Sequence, residues 1–337
     1  MNGTPGQKFT VAHDGPLLKY LYEIFPNQSK TGVKNLLAKG QVLVNGEQRT
    51  AFDHPLAAGD ALLILPKAIS MARETSVNAR EEVEKTGVKI VFEDDNYVVA
   101  DKPSGLLTVS TAKGSQSKTG KKEATLYAIL NAYVKTDARA RRKEELASGR
   151  TPDRSTAKIW IVHRLDKGTS GLVIFAKNEH AKDILQSRSK ELVIERRYVA
   201  VLEKKLEKES GAIQSWLVEN PKSLIVYSYP EEVRGGQLAI THYKVLEYVR
   251  RGKGVYTMAE FSLESGRKNQ IRVHAADIGH PVAGDEKYGA ETDPIRRLAL
   301  HAATLVFRNP MSGEVVRLKS PLPAAFDKFE RIEKTDK

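Results

Sequence analysis

Cysteine is absent from the 337 residues, which excludes disulfides, thiolate metal sites and a cysteine nucleophile together. Long apolar runs are missing too. The longest obvious one, Ala61–Leu65, stops at Pro66, far short of the roughly 20 residues a bilayer span needs. The opening MNGTPGQKFTVAHDG has no apolar core, so no secretory signal is expected. There is no H-E-x-x-H pair, no P-loop and no G-x-G-x-x-G behind a strand, so neither a metal nor a cofactor is expected. Acidic side chains are in deficit: 42 Asp+Glu against 54 Lys+Arg leave a formal charge of +12. Such a field suits a polyanionic partner, nucleic acid first and anionic membrane second. A membrane-binding helix with a basic face and a bulky apolar side is not in evidence. These absences describe a cytoplasmic protein that faces nucleic acid.

What is present centres on residues 159–177. Two apolar, β-branched runs, Ile159–Val162 and Leu172–Phe175, read as buried strands around the polar loop HRLDKGTSG. Asp166 therefore sits on a supported turn between Arg164 and Lys167. Taken alone, an Asp flanked by basic residues is usually a solvated ion pair of small energetic value.

A second constellation occupies 256–289. A strand, Met258–Leu263, enters Gly266, and a helix follows with Ile271, Ala275 and Ile278 on one face until Gly279-His280-Pro281 stops it. Arg267, Lys268 and Arg272 crowd the helix start, where free backbone N–H groups already suit a phosphate. Between the two constellations, Asn178 reads as the cap of a helix reaching about Arg188. ERRYVAVLE then reads as a strand carrying Tyr198, which could equally be a half-buried structural tyrosine.

The flanking regions are distinct in composition. Residues 14–66 read as a small module. Leu17, Leu18, Leu21 and Ile24 mark one helix, Ser29 caps a second, and QVLVNGEQ is a strand running into an Asn45-Gly46 turn. Lys30, Lys34 and Lys39 lie on or beside the second helix, an ordinary solvated face unless the module binds RNA. Residues 67–86 lack sustained apolar periodicity and read as a linker, helical in part, between two domains. VKIVFED and NYVVADKP suggest a hairpin ahead of the turn Lys102–Gly105. The 111–157 segment, Ser/Gly/Lys-rich and then basic around a short apolar helix at Thr125–Val134, reads as a mobile insert that orders on RNA.

HRLD followed by T-S-G resembles the signature of the RluA-type pseudouridine synthases. The likeness extends to Lys102-Pro-Ser-Gly, to the strand bearing Tyr198, to GRKNQIRVH with GHPVAGD behind it, and to RLALHAATLVF. It is continuous from Val88 to about Phe329 apart from the insert. The chain departs from the family at Ser265, where Thr is usual, and at Lys268-Asn269, where Thr-His is commoner. The order of elements in 14–66 is similar to the alpha-L RNA-binding module of ribosomal-protein type.

The resemblance implies an α+β fold for 88–330, with a mixed, largely antiparallel sheet, flanking helices and a central cleft, beside a small N-terminal α/β module. It implies catalytic roles for Asp166, Tyr198 and Arg272, with Arg272 as the cation that pairs with Asp166. RNA contacts are expected from Arg164, Lys30, Lys34, Lys39, Arg267 and Lys268. The expected reaction detaches uracil, turns it and rejoins it through a ring carbon. As an isomerisation it consumes nothing, and a single nucleophilic carboxylate meets its minimum demand. Large-subunit ribosomal RNA is the expected substrate, with tRNA open.

The alternative is a catalytically silent RNA-binding or ribosome-assembly factor on the same scaffold. A glycosidase-like hydrolase would need a second carboxylate, for which Glu264 and Asp285 are the nearest in sequence.

Overall fold

The computed structural model describes residues 6–110, 123–149, 151–152 and 157–332. Much of the glycine- and lysine-rich part of the insert, 111–122, and residues 150 and 153–156 lie outside the described residues. The chain divides into two compact units, residues 1–82 with 132–157, and residues 83–131 with 158–337.

The first unit contains the N-terminal module. Helices α1 (Leu17–Ile24) and α2 (Lys30–Ala38) cover an antiparallel sheet whose strands run in the order Gln7–Thr10, Ala61–Ile64, Val42–Val44, Glu47–Gln48. Leu17, Leu21, Val33, Leu37, Val42, Val44 and Leu62 close its core. Ser29 caps α2, its hydroxyl accepting from the Gly32 N–H at 3.0 Å. Asn45 (φ 51°) and Gly46 (φ 86°) make the tight turn between strands, a left-handed pair that these residue types tolerate. The edge strand Gln7–Thr10 extends the sheet beyond the expected start at residue 14. Only Phe9 of QKFT is apolar, too little for periodicity to reveal a strand.

Residues 67–86, read as a partly helical linker, are helical over most of their length. They form α3 (Lys67–Glu84), which buries Ile69 and Ala72. In the described part of the insert, the helix expected at Thr125–Val134 is present and longer. Helix α4 runs unbroken from Leu126 to Ala147 through the basic stretch read as mobile. Arg73 of α3 donates to Glu144 of α4 at 3.0 Å, a tertiary pairing that a charge-rich sequence does not advertise.

The second unit is built on a twelve-stranded sheet. Its main path runs Val226–Tyr229, Ser210–Glu219, Gln237–Arg251, Gly254–Leu263, Val193–Glu203, Leu300–Arg308, Ser170–Ala176, Tyr97–Lys102, Lys89–Glu93. Every pairing on this path is antiparallel except that of Ser170–Ala176 with Leu300–Arg308. At that parallel contact Gly171 (φ 111°) is obligatory, because a Cβ there would lie 2.2 Å from the Ala302 carbonyl oxygen.

Ser170–Ala176 is buried throughout, as its apolar run predicts. The run before the loop is not. Only Trp160–Ile161 forms a strand, and Ile161 is exposed, because this short piece pairs at the margin of the sheet. Asn178 caps α5 (Glu179–Ser187), accepting from the Ala181 N–H at 2.8 Å. The short α6 (Ser189–Leu192) leads into the Val193–Glu203 strand, and α7 (Gln270–Asp277) packs near the Val226–Tyr229 end of the sheet.

Candidate active site

The loop 163–169 is suspended between the bracket Lys102–Thr108 and the strand that follows it. Thr108 Oγ1 donates to the Leu165 carbonyl at 2.7 Å, and Ser104 Oγ donates to that of Gly168 at 2.6 Å. The Lys167 carbonyl accepts from the Gly105 N–H at 2.8 Å and from Lys102 Nζ at 3.2 Å. Lys102 is fully buried, and its ammonium also donates to the carbonyls of Pro103 (3.0 Å) and Leu106 (2.8 Å). Three acceptors use all three of its protons. Burial pushes the lysine down to about 7, opposed by the Asp166 and Asp101 carboxylates. The turn at 102–105 is thus the clamp that holds the Asp166 loop, a role its sequence does not disclose.

Asp166 faces Arg272, whose Nη1 donates to Oδ2 at 3.2 Å. The rest of the guanidinium is committed to Asp285, with Nε to Oδ2 and Nη2 to Oδ1 both at 2.6 Å. This bidentate fork is the strong geometry for an arginine and a carboxylate. The Asp285 side chain is 1% exposed, against 20% for Asp166. Arg272 also lies over the Tyr288 ring, 5.0 Å from its centroid. Burial by itself would lower the arginine's proton affinity, but the carboxylates of Asp285 and Asp166 outweigh it and hold the cation firmly charged. In sequence Asp285 was visible as the acid of GHPVAGD and, with Glu264, as a candidate second carboxylate. Here it orients the cation, and Glu264 pairs with His242 instead.

Tyr198 lies on the Val193–Glu203 strand, where pairing with Leu300–Arg308 slips by one residue between Arg197 and Tyr198. Such a bulge re-aims side chains locally. The ring is buried, and desolvation raises its hydroxyl above the usual tyrosine range. Asp166, Tyr198, Arg272, Arg164, Arg267 and Lys268 line one cleft of about 320 Å³. The cleft thus gathers every expected site residue of this unit. Arg164 stands exposed on its wall.

Ahead of α7, Gln270 Oε1 accepts from the Arg267 N–H at 3.0 Å and from Ser265 Oγ at 2.9 Å. Gln270 Nε2 in turn donates to the Ile240 carbonyl and Thr241 Oγ1. Lys268 pairs with Glu219, while Arg267 Nε reaches the Leu238 carbonyl at 3.3 Å. His274 is fully buried between the Thr241 and Ser215 hydroxyls, and desolvation pushes it down to about 4. In the other unit Lys30, Lys34 and Lys39 are exposed on α2 or at its C-terminal cap.

Comparison with known proteins identifies the family. Residues 96–277 match the family model described as RNA pseudouridylate synthase. The chain is 33% identical over 238 residues to an uncharacterized RNA pseudouridine synthase, YhcT, of Bacillus subtilis, covering 70% of this chain and 68% of that one. It is 31% identical over 313 residues to ribosomal large subunit pseudouridine synthase D of Nitrosomonas europaea, covering 90% of this chain and 80% of the relative. The solved human RNA pseudouridylate synthase domain containing 1 has the same fold, with a TM-score of 0.52 at 21% identity over 73% of this chain and 89% of that one. Among the described residues no helix is long and apolar enough to cross a membrane. Family model and relatives converge on the segment that carries the Asp166–Arg272 cleft, and the chain belongs to the RluA-type RNA pseudouridine synthases, isomerases of uridine in RNA.

Proposed function

We propose that Asp166 is the nucleophile of this isomerase, that Arg272 is the cation holding it ionised, and that Tyr198 is the platform on which the uracil ring stacks. The observation that carries the reading is the 3.2 Å contact of Arg272 Nη1 with Asp166 Oδ2 on the wall of a cleft shared with Tyr198. A carboxylate can attack only when ionised, and a fixed guanidinium beside it lowers the cost of keeping that charge in a partly closed site. Uracil leaves its ribose carbon, turns and rejoins through a ring carbon. Atoms are conserved, and the proton lost from that carbon returns to the freed ring nitrogen. Tyr198, kept protonated by burial, sits where it can assist that transfer.

A stacked uridine cannot reach the cleft, so the nucleotide is flipped out of its helix or loop. Arg164, exposed on the cleft wall, fills the gap or holds a phosphate, with Arg267 and Lys268 along the same groove. Residues 14–66 act as an RNA-binding module through Lys30, Lys34 and Lys39. Large-subunit ribosomal RNA is the substrate this reading favours, in keeping with the name of the Nitrosomonas relative, and the protein works in the cytoplasm.

The test is tritium release from RNA labelled at uracil carbon-5, comparing wild type with Asp166→Asn on ribosomal RNA and tRNA. Release by the wild type alone, with RNA binding retained by the variant, is expected. Undiminished release by the variant would mean that another carboxylate is the nucleophile.

A further inference from the structure

Asn269 is a position where the chain departs from its family's commoner sequence, and the structure puts it against Asp166. It immediately precedes α7 in the left-handed conformation (φ 56°, ψ 18°), which Asn, Asp, His and Gly adopt more readily than other residues. The residue is 6% exposed. One end of its side-chain amide lies 2.7 Å from Asp166 Oδ2 and 3.0 Å from Oδ1. The other lies 2.7 Å from the Tyr288 hydroxyl and 3.2 Å from Lys287 Nζ. A carboxylate only accepts and an ammonium only donates. The amide nitrogen therefore belongs on Asp166, and the oxygen on Tyr288 and Lys287.

This contact supplies what Arg272 cannot. Two of the three guanidinium nitrogens are held by Asp285, so Arg272 gives Asp166 a single hydrogen bond. A carboxyl group has a broad, roughly two-fold torsion. One bond therefore leaves it free to swing, whereas a second donor reaching both oxygens fixes its rotation. Residues 269 and 272 are three apart at the start of α7, so both donors come from one turn. The far end of the amide is anchored in turn, because Tyr288, the ring under Arg272, also accepts from the Val226 N–H at 3.2 Å.

We propose that Asn269 is a positioning residue, whose amide fixes the rotation of the Asp166 carboxylate so that an oxygen is presented to the flipped nucleotide. The inference rests on Asp166 being the nucleophile.

The experiment measures kcat and KM for tritium release by Asn269→Gly, Asn269→Asp and Asn269→His, with Asp166→Asn alongside. Asn269→Gly keeps the backbone conformation and removes the amide. Its kcat should fall about 10- to 100-fold, the worth of a hydrogen bond to a charged group, with KM little changed. Asn269→Asp is the same size, can still accept from Tyr288 and Lys287, and turns an acceptor towards Asp166. It should fall further than the glycine variant, although a merely structural role would be served equally well by Asp. Asn269→His, with an imidazole N–H near the position of the amide N–H, should recover most of the loss. An Asp variant with wild-type kcat, or a Gly variant that changes KM alone, overturns the proposal while an inactive Asp166→Asn leaves the nucleophile standing. Full activity in Asp166→Asn removes the nucleophile and the role of Asn269 with it.

Discussion

The lysines of α2 and the guanidinium of Arg272 carry the same charge in opposite surroundings. Lys30, Lys34 and Lys39 are exposed, so water and salt already satisfy them, and any polyanion they attract is gained in small, separable increments. The Arg272 side chain is only 13% exposed and serves two carboxylates, one of them almost completely buried. Remove any member of that cluster and the others lose both a partner and the means of being solvated. The module is therefore expected to respond additively to mutation, and the cleft as a unit.

The largest expected effect is that of Arg272→Met. It strands the Asp285 carboxylate, which should cost about 3–5 kcal/mol of stability in urea titrations. Release of tritium should fall more than about a thousandfold, as for groups that act together in catalysis. The double variant Arg272→Met/Asp285→Leu sharpens the contrast: stability should return while release does not. If the single variant is as stable as wild type, the cleft is not cooperative and the distinction collapses.

Lys102→Met comes next. It leaves the part-buried carbonyls of Pro103 and Leu106 without this donor and that of Lys167 with the Gly105 N–H alone, a loss on the order of 3 kcal/mol. Release should decline with it, because the Asp166 loop loses its clamp. An unchanged unfolding midpoint would show that the bracket at 102–108 is held by its other bonds.

A smaller effect concerns acid. The folded protein keeps His274 neutral down to about 4, against an ordinary 6.5. As pH falls from 6.5 the unfolded chain takes up the proton first, so stability is present above that value and is lost towards pH 4. The slope is about 1.4 kcal/mol per pH unit for this group. His274→Gln keeps partners for Thr241 and Ser215 and should flatten the decline. Parallel slopes for the two proteins would remove His274 from the account.

The smallest effects belong to α2. Each of Lys30→Gln, Lys34→Gln and Lys39→Gln should reduce the slope of log affinity for RNA against log salt by about 1, leaving release from the bound complex unaffected. A steep loss from any one of them would mean that the lysine is held in a specific contact rather than on a solvated face.

Local sequence revealed local structure well. Ser29 and Asn178 were legible as caps because a helix start needs a short oxygen-bearing side chain, and the buried strand Ser170–Ala176 was legible from its apolar run. The turn at Asn45-Gly46 announced itself by the left-handed backbone it requires. The full extent of helices α3 and α4 was not legible, beyond a partly helical linker for the first and a short helix at Thr125–Val134 for the second. Their apolar positions are sparse among charges, and pairings such as Arg73 with Glu144 join residues far apart in the chain.

The sequence by itself determined the absence of thiol chemistry, the excess of positive charge, and the order of motifs from Lys102 through His163–Asp166 and Tyr198 to Arg272. Those are properties of residue type and spacing, readable without contacts. Only the tertiary structure decided that Arg272 answers to Asp285 as well as Asp166, that Gln270 ties down the Arg267 N–H ahead of α7, and that Asn269 lies on Asp166. Hydrogen bonds reach about 3 Å, and whether two residues a hundred positions apart come that close is set by how the sheet folds.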